Sequence, residues 1–412
     1  MAKQIPTSTT CIRRGSLPAG RKVAQEVAVV VTERAPMAWL LLVFMVVSSV
    51  AHSATLPVDN VDLFYHRYDG GGMVIDGPVV LARKSVGPQV SVSGQYYVDM
   101  VSAASVDVLA TASAYKEERT EYTLGVDYLY DRAIMSLGFT NSSENDYEAS
   151  TLYFTVSQEF FGGMSTVTLG YAAGWDEVGK LGNDNFSEDA DRRNYQLGFS
   201  QVLTRNLLVG LDLEVVTDEG FLQNPYRQNR YLNPDPNVAG FLYQPERYPE
   251  TRTSTAVAAR AMYHLPYRAS IRGEYRYFSD TWGINAHTVQ LGYVHALNQH
   301  WSLEGSVRYY TQGEADFYSD LYAYENSQTH LARDKEMSSF SGTTFGAGAV
   351  YEWKQTSLPG IKRLQFSLLL DWLDFDYDNF RDVTAPGNYL PGQEPLYSFD
   401  ALVTRASLIL EY

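Results

Sequence analysis

Cysteine is nearly absent from this sequence of 412 residues. The one cysteine, Cys11, lies near the N-terminus with no apolar run before it, so it does not fit the pattern of a lipoprotein cysteine. Residues 55–412 contain no cysteine. Disulfide bonds and thiolate metal sites are therefore excluded from that part of the chain.

Long apolar runs are equally scarce. The stretch "WLLLVFMVV" follows Arg34 as an apolar core of roughly a dozen residues, and the small residues of "SSVAHSA" come next. Because a transmembrane helix needs about 20 apolar residues, this pattern predicts a secretory signal. We predict a leader over residues 1–54 and one domain over residues 55–412. The leader is long for a signal, so we expect translation to start nearer Met37 or at an upstream valine codon.

Positive charge is in deficit. The formal net charge is −16, and because the leader carries +4, residues 55–412 carry −20. An acidic chain disfavours nucleic-acid binding but not the attraction of cations. We predict no nucleic-acid partner.

Enzyme motifs are also lacking. The stretch "GKLGND" does not end in the Lys-Ser/Thr of a phosphate-binding loop, and the seven histidines show no metal-binding spacing. The nearest approach to a hydrolase at a barrel rim is His330 with Asp334, and nothing marks a nucleophile beside them. We predict that the protein is not an enzyme and has no cofactor; a rim-located barrel enzyme is the third alternative.

Apolar and polar residues alternate in many segments of the sequence. In "RASIRGEYRYF", Ile271 and Tyr275 fall on one face, whereas Arg272, Glu274 and Arg276 fall on the other. The 31 tyrosines and 31 glycines suit strands and tight turns. Sixteen such segments predict sixteen strands, near residues 62–68, 73–84, 88–99, 119–130, 132–141, 148–160, 164–174, 191–203, 206–217, 252–264, 268–279, 286–297, 300–312, 340–353, 362–376 and 399–412.

Short and long connections take turns along the chain. Links such as "KSVGP", "FGGM" and "LPY" alternate with longer ones, the longest at 100–118, 175–190, 218–251, 313–339 and 377–398. A soluble β-sandwich does not require short and long connections to alternate. Outer-membrane barrels have short periplasmic turns, long external loops, an even strand number and aromatic girdles. The predicted fold class is all-β: a transmembrane antiparallel up-and-down β-barrel of sixteen strands.

The last segment, "SFDALVTRASLILEY", alternates as far as Tyr412. Leu408, Leu410 and Tyr412 share one face, and Arg405 and Glu411 the other. We predict a last strand that closes against the first and leaves no edge unpaired. The segment also resembles the C-terminal signal of outer-membrane proteins, so we predict that the outer-membrane insertion machinery is a partner.

From about Val61 to Tyr412 the sequence resembles DUF3570, a family of bacterial exported proteins. The stretches that carry the resemblance include "GQYYVDMVSAASVDVLATASAYKEERTEY", "NSSENDYEAST", "VTDEGFLQNPYRQNRY", "GEYRYFSDTWGINAHT", "RYYTQGEADFYSDLY" and "FDYDNFRD". The resemblance implies an outer-membrane β-barrel without established catalytic residues. It also implies a link to extracytoplasmic electron transfer, because members tend to be encoded near a periplasmic flavin-transferase and a small lipoprotein.

Charged residues on the polar faces form the first candidate site. Six are predicted to line the lumen: Arg260, Arg272, Glu274, Arg276, Glu304 and Arg308. A sixteen-stranded barrel encloses more space than its side chains fill. These charges would set a transverse field in an aqueous pore or pair into a network that plugs it; the plainest alternative is a solvated wall without a ligand.

Acidic residues of the external loops form the second candidate site. Those singled out for cation binding are Asp316, Asp320, Asp378 and Asp382. Clustered carboxylates suit Ca²⁺, although no loop has the EF-hand spacing. Solvation of the surface, or bridging by divalent cations within lipopolysaccharide, is the simpler explanation.

We predict a channel or porin-like conduit with a charged lumen, located in the bacterial outer membrane and in contact with lipid and lipopolysaccharide. The alternative is a non-catalytic scaffold or sheath for a small lipoprotein or a periplasmic redox protein. The loop at 218–251, with "NPYRQNRYLNPDPN", is long enough to fold inward as a constriction.

Overall fold

A computed structural model describes residues 54–103, 110, 115–235, 237, 240–354 and 358–412, so residues 1–53 of the predicted leader lie outside it. The strands within these ranges are β1 (Asn60–Gly70), β2 (Met73–Val86), β3 (Val90–Ala103), β4 (Tyr115–Tyr130), β5 (Ala133–Ser143), β6 (Tyr147–Phe160), β7 (Ser165–Gly179), β8 (Ser187–Thr204), β9 (Leu207–Gly220), β10 (Gln228–Leu232), β11 (Phe241–Pro245), β12 (Thr251–Leu265), β13 (Ala269–Asp280), β14 (Asn285–Ala296), β15 (Trp301–Gln312), β16 (Phe340–Lys354), β17 (Arg363–Arg381) and β18 (Leu396–Glu411). Two short 3₁₀-helices span Phe161–Gly163 and Lys335–Met337. No helix in the described part of the chain is long and apolar enough to cross a membrane.

Sixteen of these strands, β1–β9 and β12–β18, form one closed antiparallel barrel. The barrel closes where β1 pairs with β18, from Asn60 opposite Glu411 to Gly70 opposite Ala401. The short strands β10 and β11 pair only with each other, inside the connection between β9 and β12. The predicted sixteen-stranded barrel and its closure of the last strand on the first are both confirmed.

The two ends of the barrel differ in the length of their connections, as the alternation of short and long links predicted. One end, here called the turn end, has tight links such as residues 87–89 and 205–206, and the other, the loop end, has the long segments 221–250, 313–339 and 382–395. The connection predicted at 175–190 shrinks to 180–186, because β7 and β8 continue pairing as far as Gly179 opposite Ser187. Ladder hydrogen bonds join backbone groups and need no apolar face, so polar residues extend these strands beyond the alternating apolar pattern.

The wall has two unlike faces because successive side chains of a strand point to opposite sides. Large apolar side chains on the outward face are freely exposed, such as Leu124 at 66% and Leu291 at 59%. Aromatic groups lie towards both ends of this face: Tyr267 beside His295 near the turn end, with ring centroids 5.8 Å apart, and Tyr277 beside His287 near the loop end at 5.2 Å. Such a band matches the lipid-facing surface of a membrane barrel and far exceeds what a soluble monomer exposes. The molecule is a transmembrane β-barrel.

A charge introduced on the outward face should therefore be costly. We expect Leu124→Arg to lower the free energy of unfolding by about 2–4 kcal/mol in lipid vesicles, since it places a guanidinium against hydrocarbon. The control is Thr123→Arg on the inward face, where the guanidinium meets water, with an expected loss below about 1 kcal/mol. Urea titration of both variants measures the difference, and equal losses would contradict the assignment of the two faces.

Candidate functional site: the lumen wall and the cap over its mouth

Ion pairs on the inward faces of β9, β12 and β13 form one part of the lumen wall. Arg260 and Glu274 lie directly opposite each other in the register of β12 and β13, and Nε of Arg260 donates to Oε2 of Glu274 over 2.7 Å. Arg260 also pairs with Asp212 of β9. Nη2 of Arg276 lies 3.1 Å from Oε2 of Glu214. Carboxylates therefore neutralise arginines on the next strand, or on the next but one, along the wall.

Arg272 of β13 continues the network towards β15. Its Nη2 lies 3.3 Å from Oε2 of Glu304. Five of the six predicted lumen residues thus take part in ion pairs, and all of them stay on the wall. This arrangement lines a lumen and is not a plug built from the side chains of opposite walls.

A second group of ion pairs, which the candidate list from the sequence did not include, lines the wall formed by β2, β4 and β16–β18. Nη1 of Arg363 lies 2.7 Å from Oε1 of Glu352, and Arg363 also pairs with Glu411. The remaining pairs are Arg405 with Asp371 and Arg83 with Asp127. The two-residue period predicts Glu352 and Asp371 on the inward face, and applied to the other strands it would have found the remaining residues as well.

Arg308 of β15 departs from the pattern. It makes no ion pair or hydrogen bond with any residue in the described ranges, and its guanidinium carbon lies 5.4 Å from the centre of the Tyr310 ring. Arg308 is half-buried on the inward face, four residues before the end of β15 at Gln312.

Residues 221–250, 313–339 and 382–395 pack into a structure over the loop end, here called the cap. The hairpin β10–β11 forms its centre, and Tyr231 of this hairpin bridges Tyr322. The backbone N–H of Leu232 donates to the carbonyl of Tyr322 over 2.9 Å, and the N–H of Leu331 donates to the carbonyl of Arg247 over 2.7 Å. The first two segments of the cap are therefore joined by backbone hydrogen bonds.

The cap has an apolar core, which also includes Trp282 of the connection between β13 and β14. Trp282, Tyr248 and Phe317 meet with ring centroids 5.3–5.5 Å apart, and Leu331 and Ala332 are fully buried. Burial of this kind stabilises a fixed arrangement of loops, since aromatic side chains contribute large apolar areas.

A buried ion cluster ties all three segments of the cap together. Arg230 is fully buried and pairs with Asp320 and with Glu394, whose Oε2 lies 3.1 Å from its Nη2. Nε of Arg333 lies 3.1 Å from the other oxygen of Asp320. The guanidinium of Arg333 also donates to the carbonyl of Arg381, at the end of β17, over 2.8 Å. A buried arginine needs such partners, because an unpaired charge in a dry interior is very costly.

The segment 221–250 crosses the mouth of the barrel. Within a few residues it contacts the tip of the β5–β6 hairpin, where the Tyr226 hydroxyl donates to Asp146, and the β17–β18 connection through Arg230 and Glu394. In the barrel, β1–β4 separate those two hairpins on one side, and β7–β9 with β12–β16 separate them on the other. A chain that contacts both passes over the lumen, so the cap covers part of the mouth.

Glu246 is a titratable group inside the cap. It is 2% exposed, and its carboxylate accepts hydrogen bonds from the backbone N–H of Arg333 over 2.6 Å and from the Tyr248 hydroxyl over 2.7 Å. Burial raises the pKa of Glu246 to about 7, and the negative charge of Asp334 also raises it. The Glu246 carboxyl is therefore partly protonated near neutral pH.

The acidic residues predicted to bind cations have various partners. Asp320 belongs to the ion cluster, Asp378 accepts from the Ser339 hydroxyl over 3.1 Å, and Asp382 accepts from the backbone N–H of Thr384 over 2.8 Å. The backbone N–H of Asp316 donates to Trp282. Among the described residues, no three or more side chains of the metal-binding types come together as a metal site. Ca²⁺ binding in these loops stays a prediction.

The pair singled out for a rim enzyme has structural partners. His330 packs edge-on against Phe317, with centroids 6.2 Å apart. Asp334 accepts from the backbone N–H of Glu336 over 3.0 Å and lies 3.5 Å from Nε of Arg227. These contacts place both residues in the packing of the cap.

A family model described as "Protein of unknown function (DUF3570)" matches residues 100–358. No curated protein matches the sequence. These findings identify the family of the chain but assign no activity to it.

Several solved structures are similar in outline. A bacterial polysaccharide outer membrane secretin shares 8% identity over 85% of this chain and 98% of its own, with a TM-score of 0.46. A loop L8 deletion mutant of OmpT, an outer membrane protein of Vibrio cholerae, shares 11% identity over 85% and 97%, with a TM-score of 0.40. A Pseudomonas aeruginosa FadL homologue shares 8% identity over 86% and 90%, with a TM-score of 0.39. None of these scores reaches 0.5, so the fold rests on the strand pairing of this chain.

Removing Arg230 should open the cap and leave the barrel closed. In Arg230→Ala the buried Glu394 loses its charge partner, and a broken buried pair costs about 3–5 kcal/mol. Hydrogen–deuterium exchange should therefore accelerate in residues 221–250 and 382–395, with no change in β1 or β18. The control is Arg247→Ala, which removes an exposed side chain of the same segment that donates one hydrogen bond, to the carbonyl of Gln328. Equal exchange in both variants would contradict the role of the cluster.

The cap should lose stability as the pH rises. The pKa of Glu246 is raised from 4.5 to about 7 in the folded cap, so the folded state binds its proton more tightly than the opened state does. Protection of 221–250 is expected to be highest below about pH 4.5, to fall towards pH 7 and to level off above it. Exchange rates corrected for their intrinsic pH dependence measure this change.

The matching variant is Glu246→Gln, which imitates the protonated side chain. Its protection should vary less over the same pH range and should exceed that of the native cap at pH 8. An unchanged pH profile in this variant would assign the effect to another group.

Proposed function

The chain belongs to the DUF3570 family, and from that premise we propose that it is an outer-membrane conduit whose mouth is constricted by its own cap. Small solutes pass along an aqueous, charged lumen and enter through gaps beside the segment 221–250. The observation that carries the proposal is the double attachment of this segment, at Asp146 and at Glu394.

The lumen wall supports passage. A barrel of sixteen strands encloses more volume than its inward side chains fill. The charge pairs of the described residues run along the wall, as with Arg276 and Glu214 at 3.1 Å, and do not join opposite sides of the lumen. A paired wall presents dipoles and hydrogen-bonding groups to water while avoiding a large net field.

The cap supports restriction. A wide porin would leave its mouth open, but here a fixed segment with a buried arginine spans it. Backbone hydrogen bonds and an apolar core hold that segment in place. We expect a conduit for small solutes, with a conductance well below that of an open barrel of this size.

The setting of this conduit is the outer membrane of a Gram-negative bacterium, with lipid around the outward belt and lipopolysaccharide around the loop end. The insertion machinery would recognise the terminal strand, β18. Acidic side chains of the external surface would attract cations, including those that bridge lipopolysaccharide.

The alternative is a sheath that surrounds a small lipoprotein or a periplasmic redox protein. The family resemblance favours it, and the cap is compatible with it, because a covered mouth would retain a partner inserted from the turn end. Measurement of conductance separates the two proposals.

Single-channel recording in planar bilayers tests the conduit, with the refolded barrel alone at two salt concentrations. We expect small, steady currents with a preference for cations. Deletion of 222–246 leaves residues 221 and 247–250 to join β9 to β12 as a short hairpin, and it should raise the conductance several-fold because the crossing segment is lost.

The control is the Arg247→Ala variant, which keeps the segment and should conduct like the native protein. If the deletion left the conductance unchanged, the constriction would be refuted. A folded barrel that is silent with and without 222–246 would refute the conduit and favour the sheath.

A further inference from the structure

Arg308 has the surroundings of a binding site. Gln290 of β14 and Thr344 of β16 lie directly opposite it in the register of the neighbouring strands. Neither carries a charge, whereas Arg260 has Glu274 in the equivalent position. None of these three side chains, Arg308, Gln290 and Thr344, makes an ion pair or hydrogen bond with the described residues. Three polar groups with unused hydrogen-bonding capacity therefore share one patch of the lumen wall.

Aromatic rings extend from this patch across the wall beneath the cap. Tyr310 and Phe340 are 5.5 Å apart between ring centroids, Phe340 and Phe375 are 6.2 Å apart, and Phe375 stacks on Phe399 at 5.0 Å. A Cβ on Gly342 would lie 2.7 Å from Cε1 of Phe375, so this ring lies flat over the glycine and against the wall. The rings are half-buried, and each therefore keeps part of its surface accessible.

The position of the patch suits a solute on its way through the barrel. Gln312, two residues above Tyr310, donates from its side-chain amide to the carbonyls of Glu336 and Ser338 over 2.9 and 2.8 Å. The cap is therefore fastened directly above the patch. A solute that has passed the cap meets Arg308 and the rings next.

We propose that Arg308, Gln290 and Thr344, with the rings of Tyr310 and Phe340, bind a small organic carboxylate that carries a ring. The guanidinium fork accepts a carboxylate through two parallel hydrogen bonds. The amide of Gln290 and the hydroxyl of Thr344 bind the remaining polar atoms, and the ring of the solute packs on Tyr310 and Phe340. The proposal deepens the proposed function, on which it rests, by naming the class of solute.

A carboxylate is the ligand that the local charge favours, although residues 55–412 are acidic as a whole. The other three predicted lumen arginines each pair with a carboxylate of the protein, whereas Arg308 makes no ion pair in the described ranges. The charges near Arg308 are those of Glu274 and Arg276, which are opposite in sign. A half-buried guanidinium without a direct ion-pair partner gains from an anion, because the interaction is stronger where water is partly excluded.

Isothermal titration calorimetry of the full-length refolded barrel with benzoate tests the site. Native protein should bind benzoate, and Arg308→Gln should bind it about tenfold more weakly or worse, because the charged hydrogen bonds are lost. Arg308→Lys should give an intermediate affinity, since it keeps the charge without the fork. Phe340→Leu should weaken benzoate binding and leave the weaker binding of acetate unchanged. Arg205→Gln, which removes a positive charge from the exposed β8–β9 turn, is the control and should bind like the native barrel.

The outcomes distinguish a failure of the proposed binding site from a failure of the proposed conduit. Equal affinity of the native protein and Arg308→Gln for benzoate would overturn the site, provided that both proteins are folded. A difference in gel mobility between heated and unheated samples shows that each barrel is folded. Failure of the native barrel to bind benzoate would overturn it as well, even if the barrel conducts. Binding that depends on Arg308 in a barrel that carries no current would support the site and refute the conduit.

Discussion

The rest of the structure depends on one constraint, the obligation of every backbone N–H and C=O within a membrane to find a partner inside the protein. A sheet meets that obligation only if it has no edge, and here the pairing of β1 with β18 removes the last one. Once the sheet is closed, the two-residue period of each strand assigns every side chain to lipid or to the lumen. The apolar belt, the charged wall and the position of the cap all follow from closure.

Closure also decides how charge is distributed. Arginines and carboxylates cannot face the hydrocarbon, so they collect on the inward face, where strands in register bring Arg260 beside Glu274. Above the membrane the constraint is relaxed, and loops can pack on one another as in a soluble protein. There the chain is stabilised by a small apolar core and by a buried arginine with two carboxylate partners.

Much of the barrel could be predicted from the sequence, because alternation and loop parity are local properties. The register that places Arg276 near Glu214 follows from neighbouring strands, and the inward direction of all six candidate charges could be predicted in the same way. The cap could not, because Arg230 and Glu394 are far apart in the chain and meet only through the folding of three separate loops. The distinct state of Arg308 could not be predicted either. It depends on Gln290 and Thr344 lying opposite Arg308, where Arg260 has Glu274, and this requires the exact pairing of β14, β15 and β16.

The pairing of Arg230 with Glu394 has a consequence for the order of assembly. Arg230 lies in the middle of the chain, and Glu394 belongs to the connection before the last strand. The ion cluster is therefore incomplete until the β17–β18 hairpin is present, and that hairpin is also the one that seals the barrel. The first two segments of the cap can pack on each other earlier, but the attachment of Arg230 to Glu394 forms only at the stage when β18 closes the barrel. A fully attached cap therefore requires that the last strand of the barrel, β18, has already been incorporated.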